Sequence, residues 1–169
     1  MKNIYLVGFM GTGKTTVGKI LAGRLKKEFL EMDEVIESEN DKKITEIFKI
    51  YGEPHFRKLE KELLHRISGK DNLIVSCGGG LVCDKENLAI LKKTGILFNL
   101  TASKEKIYER TKKCKDRPLL NVGDPIKKIE DLLAVRMPCY SQAHHTINTD
   151  TIDPEAVAEK IINILDGKE

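Results

Sequence analysis

Residues 4–15 read IYLVGFMGTGKT, an apolar run that empties into a glycine-rich loop ending in Lys-Thr. Gly8-Phe9-Met10-Gly11-Thr12-Gly13-Lys14-Thr15 fits G-x-x-x-x-G-K-[ST], with a strand pattern before it and a helical pattern after it. Few other features constrain a chain so tightly. Glycines permit a tight turn whose successive N–H groups face one side, and the following helix N-terminus favours negative charge there. Gly11, Thr12, Gly13, Lys14, Thr15 and Thr16 are therefore expected to hold the phosphates of a nucleotide. Lys14 reaches the outer phosphates, and the Thr15 hydroxyl joins the shell of a Mg2+ ion.

The rest of the chain alternates strand and helix patterns. Strands are expected at 4–7, near 29–32, at 73–77, at 96–100 and at HTIN (145–148). Helices are expected from the glycine loop to about Lys27, over 44–52, 56–67, NLAILKK (87–93), 103–113 with Ser103 as cap, 126–142, and from Pro154 onward. Leu59, Leu63, Leu64 and Ile67 recur at helical spacing. Short strands separated by helices imply a parallel sheet covered on both faces, an α/β fold. Such sheets bind ligands beyond the carboxyl ends of their strands. The residues that follow each strand are accordingly the candidates: Asp33 after the second and Gly78-Gly79-Gly80 after the third, with Arg57 in GEPHFRKLE, Arg117 in RPLL and Arg136 in RMPCY.

The bulk properties narrow the class. A chain of 169 residues with 40% apolar and 33% charged residues suits one globular domain spanning 1–169. The formal net charge of +3 offers no strong case for nucleic acid or a membrane surface. No apolar run reaches 18 residues, and the apolar N-terminus leads into a Gly/Lys loop rather than a cleavage site, so a cytoplasmic protein is expected. Cys77, Cys83, Cys114 and Cys139 form no C-x-x-C pair, and His144 and His145 lack zinc-finger spacing from them; free thiols are expected. The D-x-x-G and N-K-x-D motifs of GTPases do not occur. A small-molecule kinase or a silent nucleotide-binding domain remains.

GFMGTGKTTVG, MDEVIE, GEPHFRKLE, SCGGGLV, RPLL and RMPCY follow in the order of the shikimate kinases, which this chain closely resembles over about residues 3–165. The resemblance implies a P-loop kinase fold with strand order 2-3-1-4-5 and a mobile lid over about 112–124, and a substrate-binding segment over about 33–60. It implies ATP and shikimate as substrates, Mg2+ as cofactor, and a monomer. Asp33 corresponds to the carboxylate on the acceptor hydroxyl, Arg57 and Arg136 to the pair that holds the substrate carboxylate, and Gly78, Gly79 and Gly80 to a substrate-contacting turn, Gly79 above all. Lys14, Asp33 and Arg117 correspond to catalytic groups, with Arg117 over the transferring phosphoryl group. Arg110 corresponds to a residue flanking adenine, opposite the loop before Pro154, and Ser76 lies near the metal's water shell.

Glu31 departs from the pattern, since the family usually has Asp there, beside the metal's water shell. Glu keeps the charge and adds a methylene, so it either bends back to that shell or points elsewhere. Structural readings stay open beside the functional ones. Glu60 lies within helical reach of Arg57, GGG also suits a plain turn, and KKCKDR also suits a solvated charge run. A sugar-acid kinase such as a gluconate kinase shares the loop and architecture, although GEPHFR and GGG disfavour it.

Overall fold

A computed structural model describes residues 2–113 and 123–167. Five strands form one parallel sheet: β1 (Asn3–Val7), β2 (Glu28–Glu31), β3 (Leu73–Ser76), β4 (Gly95–Thr101) and β5 (His145–Asn148), in the order β2-β3-β1-β4-β5. The central β1 pairs on both sides, Tyr5 opposite Val75 of β3 and opposite Leu97 of β4. This is the topology expected of the family that the motifs resemble.

Pleating of β1 divides the interior. Ile4 and Leu6 point to one face, where they pack with Val17, Leu21, Val157 and Ile161; Tyr5 and Val7 point to the other, with Met32, Leu64 and Leu91. Helices α1 (Lys14–Leu25) and α8 (Pro154–Leu165) cover the first face. The second is covered chiefly by α2 (Met32–Asn40), α4 (Glu53–Ser68) and α5 (Lys85–Thr94), with α3 (Ile44–Tyr51) docked on α4. Helix α6 (Lys104–Thr111) packs with α7 (Pro125–Tyr140). Among the described residues no helix is long and apolar enough to cross a membrane.

Boundaries differ from expectation where local chemistry intervenes. α1 stops at Leu25 because Lys26 turns left-handed at φ 53, which lets β2 begin at Glu28. Met32 opens α2 instead of ending β2, and it is fully buried. Gly52 at φ 83 separates α3 from α4, which starts three residues before the leucine spacing suggests, with Pro54 in its first turn. Ser103 caps α6 as expected, accepting from Lys106 N, while α6 ends at Thr111. Asp84 and Asp153 cap α5 and α8 in the same way.

Candidate active site

The loop after β1 carries the expected conformation. Gly11 (φ 76) and Gly13 (φ 92) occupy the left-handed region that the tight turn demands. Thr12 is buried, and its hydroxyl donates to Phe9 O at 2.7 Å, bracing the turn from within. The Lys14 ammonium lies over the loop, donating to Gly8 O and Phe9 O, each at 2.9 Å. The first turn of α1 holds no acidic residue of its own, which leaves its positive end open to an anion. Thr16 is exposed in the same turn.

Beside the loop, β2 delivers an acidic wall. Thr15 Oγ1 donates to Glu31 Oε2 at 2.5 Å, so Glu31 does bend toward the loop. Burial raises the Glu31 pKa; hydrogen bonds from Thr15 and Ser76 oppose the rise, and the Asp33 charge adds to it. Asp33 sits in the first turn of α2, just past the strand end, where the helix N-terminus favours a carboxylate. No cluster of three or more His, Cys, Asp or Glu suited to a metal exists among the described residues.

A second part of the cleft is cationic and built around one buried acid. Arg57, on the first turns of α4, donates from Nη1 to Glu60 Oε2 at 2.5 Å and from Nη2 to Glu53 Oε1 at 3.0 Å. The ion pair and the binding role proposed for Arg57 are thus not alternatives, since Arg57 also lines the cleft. Glu60 is 1% exposed, and its Oε1 has no hydrogen-bond partner among the described residues. Its pKa is raised to about 7 by burial, with Arg57 and Arg136 opposing and Asp33 reinforcing the rise. Arg136, on α7, is buried against the Phe9 ring, its guanidinium carbon 5.6 Å from the ring centre.

The three glycines are where these charges approach the backbone. A Cβ on Gly78 would stand 2.1 Å from Glu60 Oε1, one on Gly79 3.1 Å from Arg136 Nη1, and one on Gly80 2.6 Å from Arg57 Nη2. None of the three needs a positive φ; close approach, not turn conformation, requires glycine. Tyr140 Oη donates to Gly79 O at 2.5 Å and fixes the middle of the run to α7. Burial drives the Tyr140 pKa far up, so it remains a donor.

Together these walls enclose a cleft of about 320 Å³, small enough for one ring-sized ligand. Lys14, Thr15, Glu31, Asp33, Arg57, Gly78, Gly79, Gly80 and Arg136 all line it, with Met10, Phe48 and Phe56 as its apolar part. Arg110 does not reach this cleft; it hydrogen-bonds to Gly11 O and Thr149 behind the phosphate loop. Arg117 and most of the segment assigned to a lid, 112–124, lie outside the described residues. Sequence reasoning missed Glu60 as a site residue, and Tyr140 and Thr149 altogether. Glu60 stands in the GEPHFRKLE motif, so its place was visible; its burial was not. His144 is exposed, yet its Nδ1 accepts from Leu97 N at 3.0 Å.

A P-loop at the end of the central strand, a carboxylate beside it and two guanidinium groups lining the same small cleft define a P-loop phosphotransferase for a small anionic acceptor. The sequence profile of the shikimate kinase family matches residues 10–166, and the chain belongs to that family, whose members are ATP-dependent kinases. It is 48% identical over 162 residues to a shikimate kinase of Thermodesulfovibrio yellowstonii, covering 96% of this chain and 94% of that one. A shikimate kinase of Caldicellulosiruptor saccharolyticus is 45% identical over 169 residues, covering 100% and 98%. Among solved structures, the Acinetobacter baumannii shikimate kinase in complex with shikimate superposes with a TM-score of 0.96 at 39% identity, covering 100% of this chain and 95% of that chain. The Aquifex aeolicus shikimate kinase gives 0.86 at 37%, covering 98% and 96%.

Proposed function

We propose that the chain moves the γ-phosphoryl group of ATP to the 3-hydroxyl of shikimate, and that its cleft divides that work by charge. The carrying observation is the pair of guanidinium groups, Arg57 and Arg136, lining one cleft together with Lys14 and Asp33. Planar guanidinium forks suit a carboxylate, so the acceptor's carboxylate lies against Arg57 and Arg136 while its ring meets Gly78, Gly79 and Gly80. Asp33 accepts a hydrogen bond from the 3-hydroxyl, orients it and receives its proton. The hydroxyl oxygen then forms a bond to the γ-phosphorus as the bond to the ADP oxygen breaks. Lys14 and the N–H groups of Gly11, Thr12, Gly13, Thr15 and Thr16 hold the phosphates, and Arg117 offsets charge on the transferring group.

A Mg2+ ion, when bound, would supply positive charge that offsets the negative charge of the phosphates. Thr15 and Glu31 are the residues that would hold it. Their hydroxyl–carboxylate pair is a sparse, oxygen-only donor set, the kind a hard octahedral cation uses beside substrate phosphates. Arg110 flanks the adenine. A monomer in a reducing cytoplasm completes the reading, supported by the free thiols of Cys77, Cys83 and Cys139.

A coupled ADP-release assay with shikimate and with gluconate tests the assignment. Turnover with shikimate and none with gluconate is expected; turnover with gluconate alone overturns it.

A further inference from the structure

Behind the phosphate loop lies a hydrogen-bond junction centred on a residue outside the cleft. Thr149, immediately after β5, is 4% exposed. Its N–H donates to Thr101 O at 2.8 Å, joining the ends of β4 and β5. Its hydroxyl accepts from Arg110 Nη1 at 3.1 Å and lies 3.0 Å from Thr101 O and 3.3 Å from Thr12 O. Its carbonyl accepts from Arg110 Nη2 at 2.9 Å, while Arg110 Nη1 also donates to Gly11 O at 3.1 Å. One buried threonine thus touches α6 through Arg110, the phosphate loop through Thr12, and β4 through Thr101.

Peptide planarity gives this junction a consequence at the front of the loop. The C=O of one residue and the N–H of the next point in opposite directions from a shared plane. Arg110, donating to Gly11 O, and the Thr149 hydroxyl, set against Thr12 O, therefore aim the N–H groups of Thr12 and Gly13 the other way. We propose that Thr149 is a positioning residue for nucleotide binding, which orients those N–H groups and the exposed Arg110 guanidinium through a single buried hydroxyl and carbonyl. The inference rests on the reading of the loop as the ATP phosphate site.

The test is calorimetric binding of Mg-ADP and, separately, of shikimate to the full chain. Thr149→Val keeps the shape and removes the hydroxyl. Mg-ADP should bind about tenfold more weakly, the loss of a hydrogen bond to a charged group, while shikimate affinity stays within about twofold. Thr149→Ser restores the hydroxyl and should recover most of the loss. On an Arg110→Met background Thr149→Val should cost less than in the parent chain, because the guanidinium it holds is gone. Thr149→Ala, with room for a water, serves if the valine variant unfolds, and the same direction is expected. Unchanged Mg-ADP affinity, equal loss of both ligands, or no rescue by serine overturns the proposal. A parent chain that binds no Mg-ADP overturns the functional reading itself, an outcome distinct from these.

Discussion

Arg57 and Glu60 share a hydrogen bond of 2.5 Å one helical turn apart, and both line the cleft although the acid is buried. The acid is thereby sealed among charges: Arg57 and Arg136 favour its ionised form, Asp33 and burial its neutral form. Burial leads, and the carboxyl titrates near 7.

Shikimate binding should take up protons and weaken as pH rises through this range. Below about 7 Glu60 is neutral; above it, an anion stands beside the arginines that receive the substrate carboxylate. Two like charges several ångströms apart in this environment are worth on the order of 1 kcal/mol, or several-fold in affinity. Calorimetry at pH 6 and 8.5, in buffers of different ionisation enthalpy, reads both effects, and Glu60→Gln should abolish the proton uptake. Pure stability follows the same sign. The folded chain holds this proton more tightly than the unfolded one, so the contribution is greatest below the ordinary value of 4.5 and declines as pH rises toward 7.

Arg57 has a binding role and a structural one, and substitutions separate them. Arg57→Ala should raise the KM for shikimate at least tenfold and leave that for ATP within about twofold. It also strands the Glu60 carboxylate, so the melting temperature should fall, more at pH 8 than at pH 6. Adding Glu60→Gln should recover stability but not shikimate affinity. Recovery of both, or of neither, would contradict the division.

Gly80→Ala places a methyl group 2.6 Å from the Arg57 guanidinium. The arginine must move, and the expected readout is a rise of about tenfold or more in the shikimate KM with ATP unaffected, the loss of a charge-assisted contact. Equal loss of both substrates would point to a misfolded turn.

Glu31 is tied to the metal question through Thr15. Glu31→Asp withdraws the carboxylate by one methylene, and the Mg2+ concentration for half-maximal rate should rise severalfold. An unchanged Mg2+ dependence would remove Glu31 from the metal's surroundings.

Two glycines of α1 serve as a packing control. A Cβ on Gly23 meets nothing within 4 Å, so Gly23→Ala should stabilise by about 0.5–1 kcal/mol, roughly 1–4 °C in Tm. A Cβ on Gly18 would stand 2.4 Å from the Phe29 ring, so Gly18→Ala should lower Tm. Thermal denaturation of both variants checks the pair.

Local chemistry was legible where neighbours in sequence do the work. The glycine loop, the Ser103 cap, Pro154 in the first turn of α8 and the alternation of strands and helices all depend on contacts within a few residues. Asp33, Arg57, Arg136 and the glycine run were legible as motif members, and the fold brings them to one cleft. Their partners were not. Tyr140 joins Gly79 across 61 positions, and Thr149 joins Thr12 across 137.

The chain by itself determined the phosphate loop, the α/β alternation and the chemical types lining the site, because these rest on backbone geometry and side-chain chemistry at short range. Only the tertiary structure decided that Glu31 reaches Thr15, that Glu60 is buried against Arg57 within the field of Arg136, and that three glycines each make room for a charge. The physical reason is desolvation. A carboxyl at position 60 is an ordinary surface acid until packing removes water from it, and no local spacing encodes how completely that happens.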